Sequence, residues 1–219
     1  MPAGSSERAL YPSTASWRRI LDALCQQLPG VRFALIGKLG RDGRTHTTLR
    51  REELDTLLSH PSAPVDCFDI ELAQQLAIVE ASSLFLSPHT GFGLAALAVG
   101  TPWLTISGGR WFEYYFNEVP FRSILPDVER YPAFSQFTPA AVTDDGRDGP
   151  RTPSMTQARI RDDLDAIVLA ATELINETLT YDQALADYFR ALLAAHDGNA
   201  NAIWSIDGVH VDHLPTTTR

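Results

Sequence analysis

The strongest constraint on this chain is an alternation. Short apolar runs, not interrupted at every second position by polar residues, are each followed by a stretch with helical spacing. The runs are residues 31–37 (VRFALIG), 65–70 (VDCFDI), 84–86 (LFL) and 103–106 (WLTI). Residues 9–13 (ALYPS) read as the end of another strand running into a turn. Trp17, Ile20, Leu21, Leu24, Cys25 and Leu28 then recur at helical spacing. Ser13 or Ser16 is placed to cap that helix, and Pro29-Gly30 to stop it. Residues 49–60 and 71–82 read as further helices, the second with Leu72, Leu76 and Val79 on one side. A strand with one wet face alternates, whereas a strand apolar throughout is covered on both faces. Strand and helix in turn therefore predict a parallel sheet with helices on both sides over residues 9–125.

The expected fold class is α/β, a Rossmann-like open parallel sheet followed by C-terminal helices. The chain has 219 residues, enough for one large domain or two small ones. Residues 1–142 read as the Rossmann-like domain. Residues 143–154 (TDDGRDGPRTPS) are rich in Gly, Pro and charge and read as an exposed loop or linker. Residues 155–219 read as a helical extension packing on that domain. In it Ile160, Leu164, Ile167, Ala171, Leu174 and Thr178 mark one long helix, and Leu185, Tyr188, Phe189 and Leu192 one face of a second.

A net charge of −9 argues against a nucleic-acid partner, which needs a basic face, and leaves room only for a local pocket for a small phosphate. Cys25 and Cys67 are too few for a disulfide framework and read as buried free thiols. Residues 1–10 lack the charged and apolar regions of a signal peptide, and no apolar run reaches the roughly 18 residues of a membrane span. The expected location is the cytoplasm.

In an open parallel sheet, ligands bind outside the carboxyl ends of the strands. Two loops fall there, residues 87–91 (SPHTG) and 107–109 (SGG). The first opens a helix near Gly91, and a helix N-terminus offers free N–H groups and partial positive charge to a phosphate. Gly91 and Gly93 let a ligand approach the backbone. Thr90 can cap the helix or turn its hydroxyl to a phosphate oxygen, and His89 can donate to the same anion. A plainer reading has equal weight. Thr90 is then only a cap, and Gly91, Gly93, Ala95, Ala96 and Ala98 are small only to pack the helix on the sheet. The pattern is neither a dinucleotide fingerprint nor a Walker loop.

Residues 83–109 (SLFLSPHTGFGLAALAVGTPWLTISGG) resemble a segment of the heptosyltransferase group of glycosyltransferases, family 9. In that group a strand runs into a triplet ending Thr-Gly, then an Ala- and Leu-rich helix, a Gly-x-Pro turn and an apolar strand ending in Gly. Here the triplet is His89-Thr90-Gly91, the turn Gly100-Thr101-Pro102 and the ending Ser107-Gly108-Gly109. Residues 11–37 and 69–82 resemble the segments that precede it, so the likeness spans about residues 9–110. The resemblance implies the C-terminal, donor-binding domain of a GT-B enzyme that transfers a sugar from a nucleotide-sugar without a metal. Residues 1–142 would be that nucleotide-sugar-binding domain. Ser13, Thr14, Lys38, Ser87, His89, Thr90, Gly91, Phe92, Gly93, Ser107, Gly108 and Gly109 would then face the nucleotide diphosphate. The resemblance also implies an acceptor domain ahead of residue 9, or a partner chain in its place. His89 stands where the group commonly has an acidic residue, Leu94 or Ala95 where it has a His, and Arg18 or Arg19 where it has a Lys. These departures point to a distant relative with a different donor. No catalytic base is assigned.

A non-catalytic Rossmann-like binding domain and a nucleotide-sugar epimerase are the alternatives. For Lys38, Arg18 and Arg19 the plainer reading is a solvated side chain. Asp66, Asp69, Glu71 and Glu80 read as scattered solvated charges rather than an acid–base pair. His210, Asp212 and His213 are too few ligands for a metal site and read as a tail feature. Trp111, Phe112 and Tyr115 suit either stacking on a base or sugar, or a helix core, with Arg110 and Glu113 beside them.

Overall fold

The computed structural model describes residues 7–40, 47–110, 117–133 and 141–203. Its strands are β1 (Ala34–Gly37), β2 (Val65–Phe68), β3 (Phe85–Pro88), β4 (Trp103–Ile106) and β5 (Phe121–Ile124). Its helices are α1 (Thr14–Gln27), α2 (Arg51–Leu58), α3 (Leu72–Glu80), α4 (Gly91–Ala98), α5 (Gln157–Asp162), α6 (Leu164–Ile175) and α7 (Tyr181–Ala195). Among the described residues every strand pair is parallel, and the class is α/β, with helices flanking the sheets. The strands form two sheets, β1–β2 and β3–β4–β5. The registers pair Ala34 with Val65, Phe85 with Trp103, and Trp103 with Phe121.

The expectations from sequence are corrected at several places. Residues 9–13 are not the end of a strand. Arg8–Leu10 forms a single 3₁₀ turn, and Ser13 is already the cap of α1, its hydroxyl accepting from the Ser16 N–H at 3.2 Å. The Thr152 N–H takes the Ala9 carbonyl at 2.9 Å, so this backbone is spent on a neighbouring loop rather than on a ladder. β5 is an additional strand. Its Phe-Arg-Ser-Ile sets two polar residues between two apolar ones, and its burial falls off after Phe121. The long helix expected from Ile160 to Thr178 is two helices that meet at Asp163. The Asp163 carboxylate there accepts from Arg159 Nε at 2.6 Å.

The segment 143–154 is exposed at Thr143, Asp144, Gly146, Arg147 and Pro150 and fastened at several positions. Thr143 and Arg151 form an antiparallel bridge, and Asp145, Arg151, Thr152 and Ser154 are buried. Ser154 donates to the Gly108 carbonyl at 2.8 Å, which fixes the segment over the end of β4. Cys67 is buried and Cys25 half-buried, both as free thiols; burial pushes the Cys67 thiol upward.

One apolar cluster joins the layers. Trp17, Ile20 and Leu24 of α1 share it with Trp103, Leu104 and Phe121 of the sheet and with Ile167, Leu174, Tyr188 and Phe189 of α6 and α7. Trp103, Leu104 and Phe121 are fully buried, and each such side chain contributes about 1.5–3 kcal/mol through removal from water. Arg122 fastens the C-terminal helices to β5, its Nε donating to Glu173 at 2.9 Å and its Nη1 to Asp187 at 2.8 Å. Among the described residues, no helix is long and apolar enough to cross a membrane.

Candidate functional site at the carboxyl ends of the strands

The loops after the strands come together at one end of the molecule through named bonds. Thr152 holds Ala9, just ahead of α1, and Ser154 holds Gly108, just past β4. Thr47 holds the Lys38 carbonyl, just past β1, at 2.6 Å. Asp69, past β2, accepts from the Leu39 and Gly40 N–H groups at 2.9 and 3.1 Å. Gln75 Nε2 donates to the Gly37 carbonyl at 2.9 Å and so closes the end of β1 from α3.

Many of the residues expected to face a ligand are engaged inside the protein. Ser13 caps α1 and is fully buried. Ser87 is fully buried, accepting from the Trp103 indole N–H at 3.0 Å and donating to the Pro88 carbonyl at 2.7 Å. Ser107 closes its own loop against Gly109, and the Gly108 carbonyl is taken by Ser154. Gly93 is small for packing, because a Cβ there would run into the Trp103 indole. The Phe92 ring lies 5.7 Å from the Phe85 ring and is half-buried. His89 is exposed and stacks near Trp103, centroids 6.1 Å apart. Lys38 is half-buried.

Two helix N-termini differ in what they hold. At α1, the Ala15 N–H donates to the Asp148 carboxylate at 3.0 Å, so a carboxylate of the chain itself already sits where an anion would bind. At α4, the Gly93 N–H returns to the Thr90 carbonyl at 3.0 Å, and the Gly91 and Phe92 N–H groups have no partner among the described residues. Thr90 is the cap residue, yet its hydroxyl makes no capping bond. It is 9% exposed and its Oγ1 has no partner among the described residues. Gly91 is exposed, and a Cβ there would meet nothing within 4 Å. Buried hydroxyls normally find a partner, which sets the Thr90 Oγ1 apart. The Thr14 and Thr47 hydroxyls are likewise buried without a partner among the described residues.

Sequence reasoning passed over several groups at this end. Arg151 is 4% exposed, and its Nη1 donates to the carbonyls of Asp148, Gly149 and Pro150 at 3.0, 3.3 and 2.9 Å. Burial pulls its pKa down, and the charge of Arg8 adds to the effect. Arg8 itself is held above its usual value by its hydrogen bond to Glu53. Asp145 is pushed up by burial although it accepts from the Gln157 N–H at 2.8 Å. Arg159 is fully buried, donating to Asp163 and, at 2.7 Å, to the Ile124 carbonyl at the end of β5. Its spacing of four from Asp163 was the signal available in the sequence.

Among the described residues, the others singled out in the sequence do not assemble a second centre. Arg18 Nη1 turns to the Thr56 carbonyl of α2 at 2.7 Å, and Arg19 is exposed. Asp66 accepts from the Phe68 N–H, Asp69 binds the loop after β1, and Glu71 and Glu80 are exposed. Arg110 Nη1 donates to the Ala195 carbonyl at 2.8 Å and ties down the end of α7. Trp111, Phe112, Glu113, Tyr115, His210, Asp212 and His213 lie outside the described residues. Neither a family model, nor a curated protein, nor a solved structure matches the chain.

Proposed function

We propose that this chain binds the diphosphate of a nucleotide-sugar at the N-terminus of α4 and serves as the donor-binding domain of a glycosyltransferase of the GT-B type. The observation that carries the binding step is the buried Thr90 hydroxyl, without a partner among the described residues, beside the unpartnered N–H groups of Gly91 and Phe92. A phosphate oxygen would accept from all three, with the helix charge adding to the attraction. The sugar-nucleotide identity and the transfer reaction are supported by the resemblance of residues 83–109 to the heptosyltransferase group. The cytoplasm is the compartment that goes with that reading. The Asp148 carboxylate on α1 favours a second reading, a binding domain without catalysis, because it occupies the other helix N-terminus that a phosphate would use.

The test is a thermal shift of the full chain with UDP, GDP, ADP, CMP and dTDP. A nucleotide at about 100 times its Kd stabilises by roughly 2.7 kcal/mol. Thr90→Val and Gly91→Ala are expected to fold normally and to abolish the shift, since the methyl at position 91 enters open space. Absence of any shift with all five nucleotides rejects the proposal. A shift without sugar transfer to any acceptor selects the second reading.

A further inference from the structure

The loop between Thr143 and Arg151 reaches back to the first turn of α1. Its Asp148 carboxylate accepts from the Ala15 N–H at 3.0 Å, across 133 residues of sequence. Ser13 already caps that helix by accepting from the Ser16 N–H. α1 therefore has its local cap and holds a distant acceptor as well. A helix N-terminus attracts negative charge through its free N–H groups and its dipole, so Asp148 stands where a bound anion would stand.

The seat offers more than one carboxylate uses. Thr14, the first residue of α1, is 5% exposed, and its Oγ1 has no partner among the described residues. Helix side chains lean toward the N-terminal end, which turns this hydroxyl to the same turn as the Ala15 N–H. Buried hydroxyls are almost always bonded. Asp148 satisfies Ala15 and leaves Thr14 unmet, whereas a tetrahedral oxyanion has acceptors for both. The Asp148 charge also lies within electrostatic reach of Arg8 and Arg151, two cations that a replacing anion would keep.

The loop is fixed at its base and free to turn at its tip. At the base, Thr143 and Arg151 exchange backbone hydrogen bonds at 2.8 and 2.9 Å, and Asp145 accepts from the Gln157 N–H at 2.8 Å. At the tip, Gly146 and Gly149 have φ of +85° and +83°, backbone that glycine adopts at little cost. Gly146, Arg147 and Pro150 are exposed, and the Gly149 N–H closes the tip on the Gly146 carbonyl at 3.0 Å.

We infer that residues 145–151 form a latch over the first turn of α1, with the Asp148 carboxylate as the internal occupant of an anion seat made by Thr14 and Ala15. A phosphate group enters that seat by replacing the carboxylate, and the tip between Gly146 and Gly149 then turns away. The latch is a gate on anion entry at this end of the molecule. An occupied seat lowers the apparent affinity for a ligand by the fraction of time the seat is open. The seat is separate from the N-terminus of α4, and the inference does not depend on the nucleotide reading there.

The test follows backbone amides of the full chain by NMR, with inorganic phosphate as the probe. In the parent chain, phosphate is expected to shift the Ala15 amide and to speed exchange of the Gly149 amide, while the Arg151 amide at the base stays unchanged. Asp148→Ala is expected to speed Gly149 exchange without phosphate and to tighten phosphate binding at Ala15 by about three- to tenfold, the scale of one hydrogen bond at a helix N-terminus. Asp148→Asn keeps an acceptor without the charge and is expected to fall between the two. Thr14→Val, close in shape, is expected to weaken phosphate binding at Ala15 in the parent and in Asp148→Ala alike. Thr90→Val is expected to leave the Ala15 response intact, which separates this seat from the one at α4. Three results would overturn the inference. One is an unchanged phosphate affinity in Asp148→Ala. Another is a phosphate response at Gly91 and Phe92 with none at Ala15, which would leave α4 as the anion site and the latch without a ligand. The third is equal acceleration of the Gly149 and Arg151 amides in Asp148→Ala, which would make Asp148 a fastening of the whole segment.

Discussion

The two sheets are built from strands of equal length and differ in how far each is covered. In the three-stranded sheet β4 is buried at all four positions and β3 is buried at three. In the two-stranded sheet β1 and β2 are buried only at their last two residues. Val65, which leads β2, is 56% exposed. The reason is the helices. α4 packs on β3 and β4, and α6 and α7 close over β4 and β5. The two-stranded half is joined to the rest through α1, which packs on both α2 and α6. A parallel sheet is stable when both faces and both neighbours of each strand are present. In the three-stranded half β4 meets that condition, while the two-stranded half is covered only toward its carboxyl end.

The largest expected effect separates the halves directly. Trp103→Ala removes a fully buried indole and the donor to Ser87, and is expected to cost about 3–5 kcal/mol by denaturant unfolding. Val65→Ala, at the open end of β2, is expected to cost less than about 0.5 kcal/mol in the same experiment. Equal costs would mean that the open end is closed in solution, and the comparison would fail.

A smaller effect tests the same sheet from α4. Gly93→Ala places a methyl against the Trp103 indole and is expected to cost about 1–3 kcal/mol through overpacking. Gly91→Ala, two residues earlier, enters open space and is expected to leave the melting temperature within error of the parent. If Gly93→Ala is as neutral as Gly91→Ala, α4 is not seated on β4 through that contact.

The same contrast explains what was legible in the sequence. The run 103–106 coincides with β4 to the residue, because all four side chains are buried and nothing interrupts the apolar signal. Residues 31–37 shorten to Ala34–Gly37, because their first half borders an apolar cleft. β5 was illegible because Arg122 and its two carboxylate partners lie 51 and 65 residues apart, a distance that no local pattern carries. The small residues of the Thr-Gly helix were legible as a set but not one by one. Gly93 answers to Trp103, ten residues on, while Gly91 answers to open space. The strand read into residues 9–13 failed because the Ala9 carbonyl is claimed by Thr152, 143 residues away.

The smallest expected effect is acid sensitivity, and it compares the ion pairs that fasten each half. In the three-stranded half, the hydrogen bond from Arg122 holds the Asp187 carboxyl below the usual range, with Arg190 adding to it. In the two-stranded half, burial pushes Glu53 up, but the hydrogen bonds from Arg8 and from the Arg50 N–H outweigh it and the net direction is down. A carboxylate whose folded pKa lies below its unfolded value stabilises fully above the unfolded value, about 4. That contribution is lost as the pH falls through the lowered, folded value. Arg122→Met and Arg8→Met are each expected to reduce the loss of stability between pH 7 and pH 3, measured from urea midpoints. Asp187 is 40% exposed, so solvent screening holds the Arg122 effect to well under about 1 kcal/mol. Glu53 is only 14% exposed and its bond to Arg8 spans 45 residues, so the Arg8 effect is expected to be the larger of the two. The less covered half therefore leans more on its ion pair, and a larger effect from Arg122→Met would reverse that assignment.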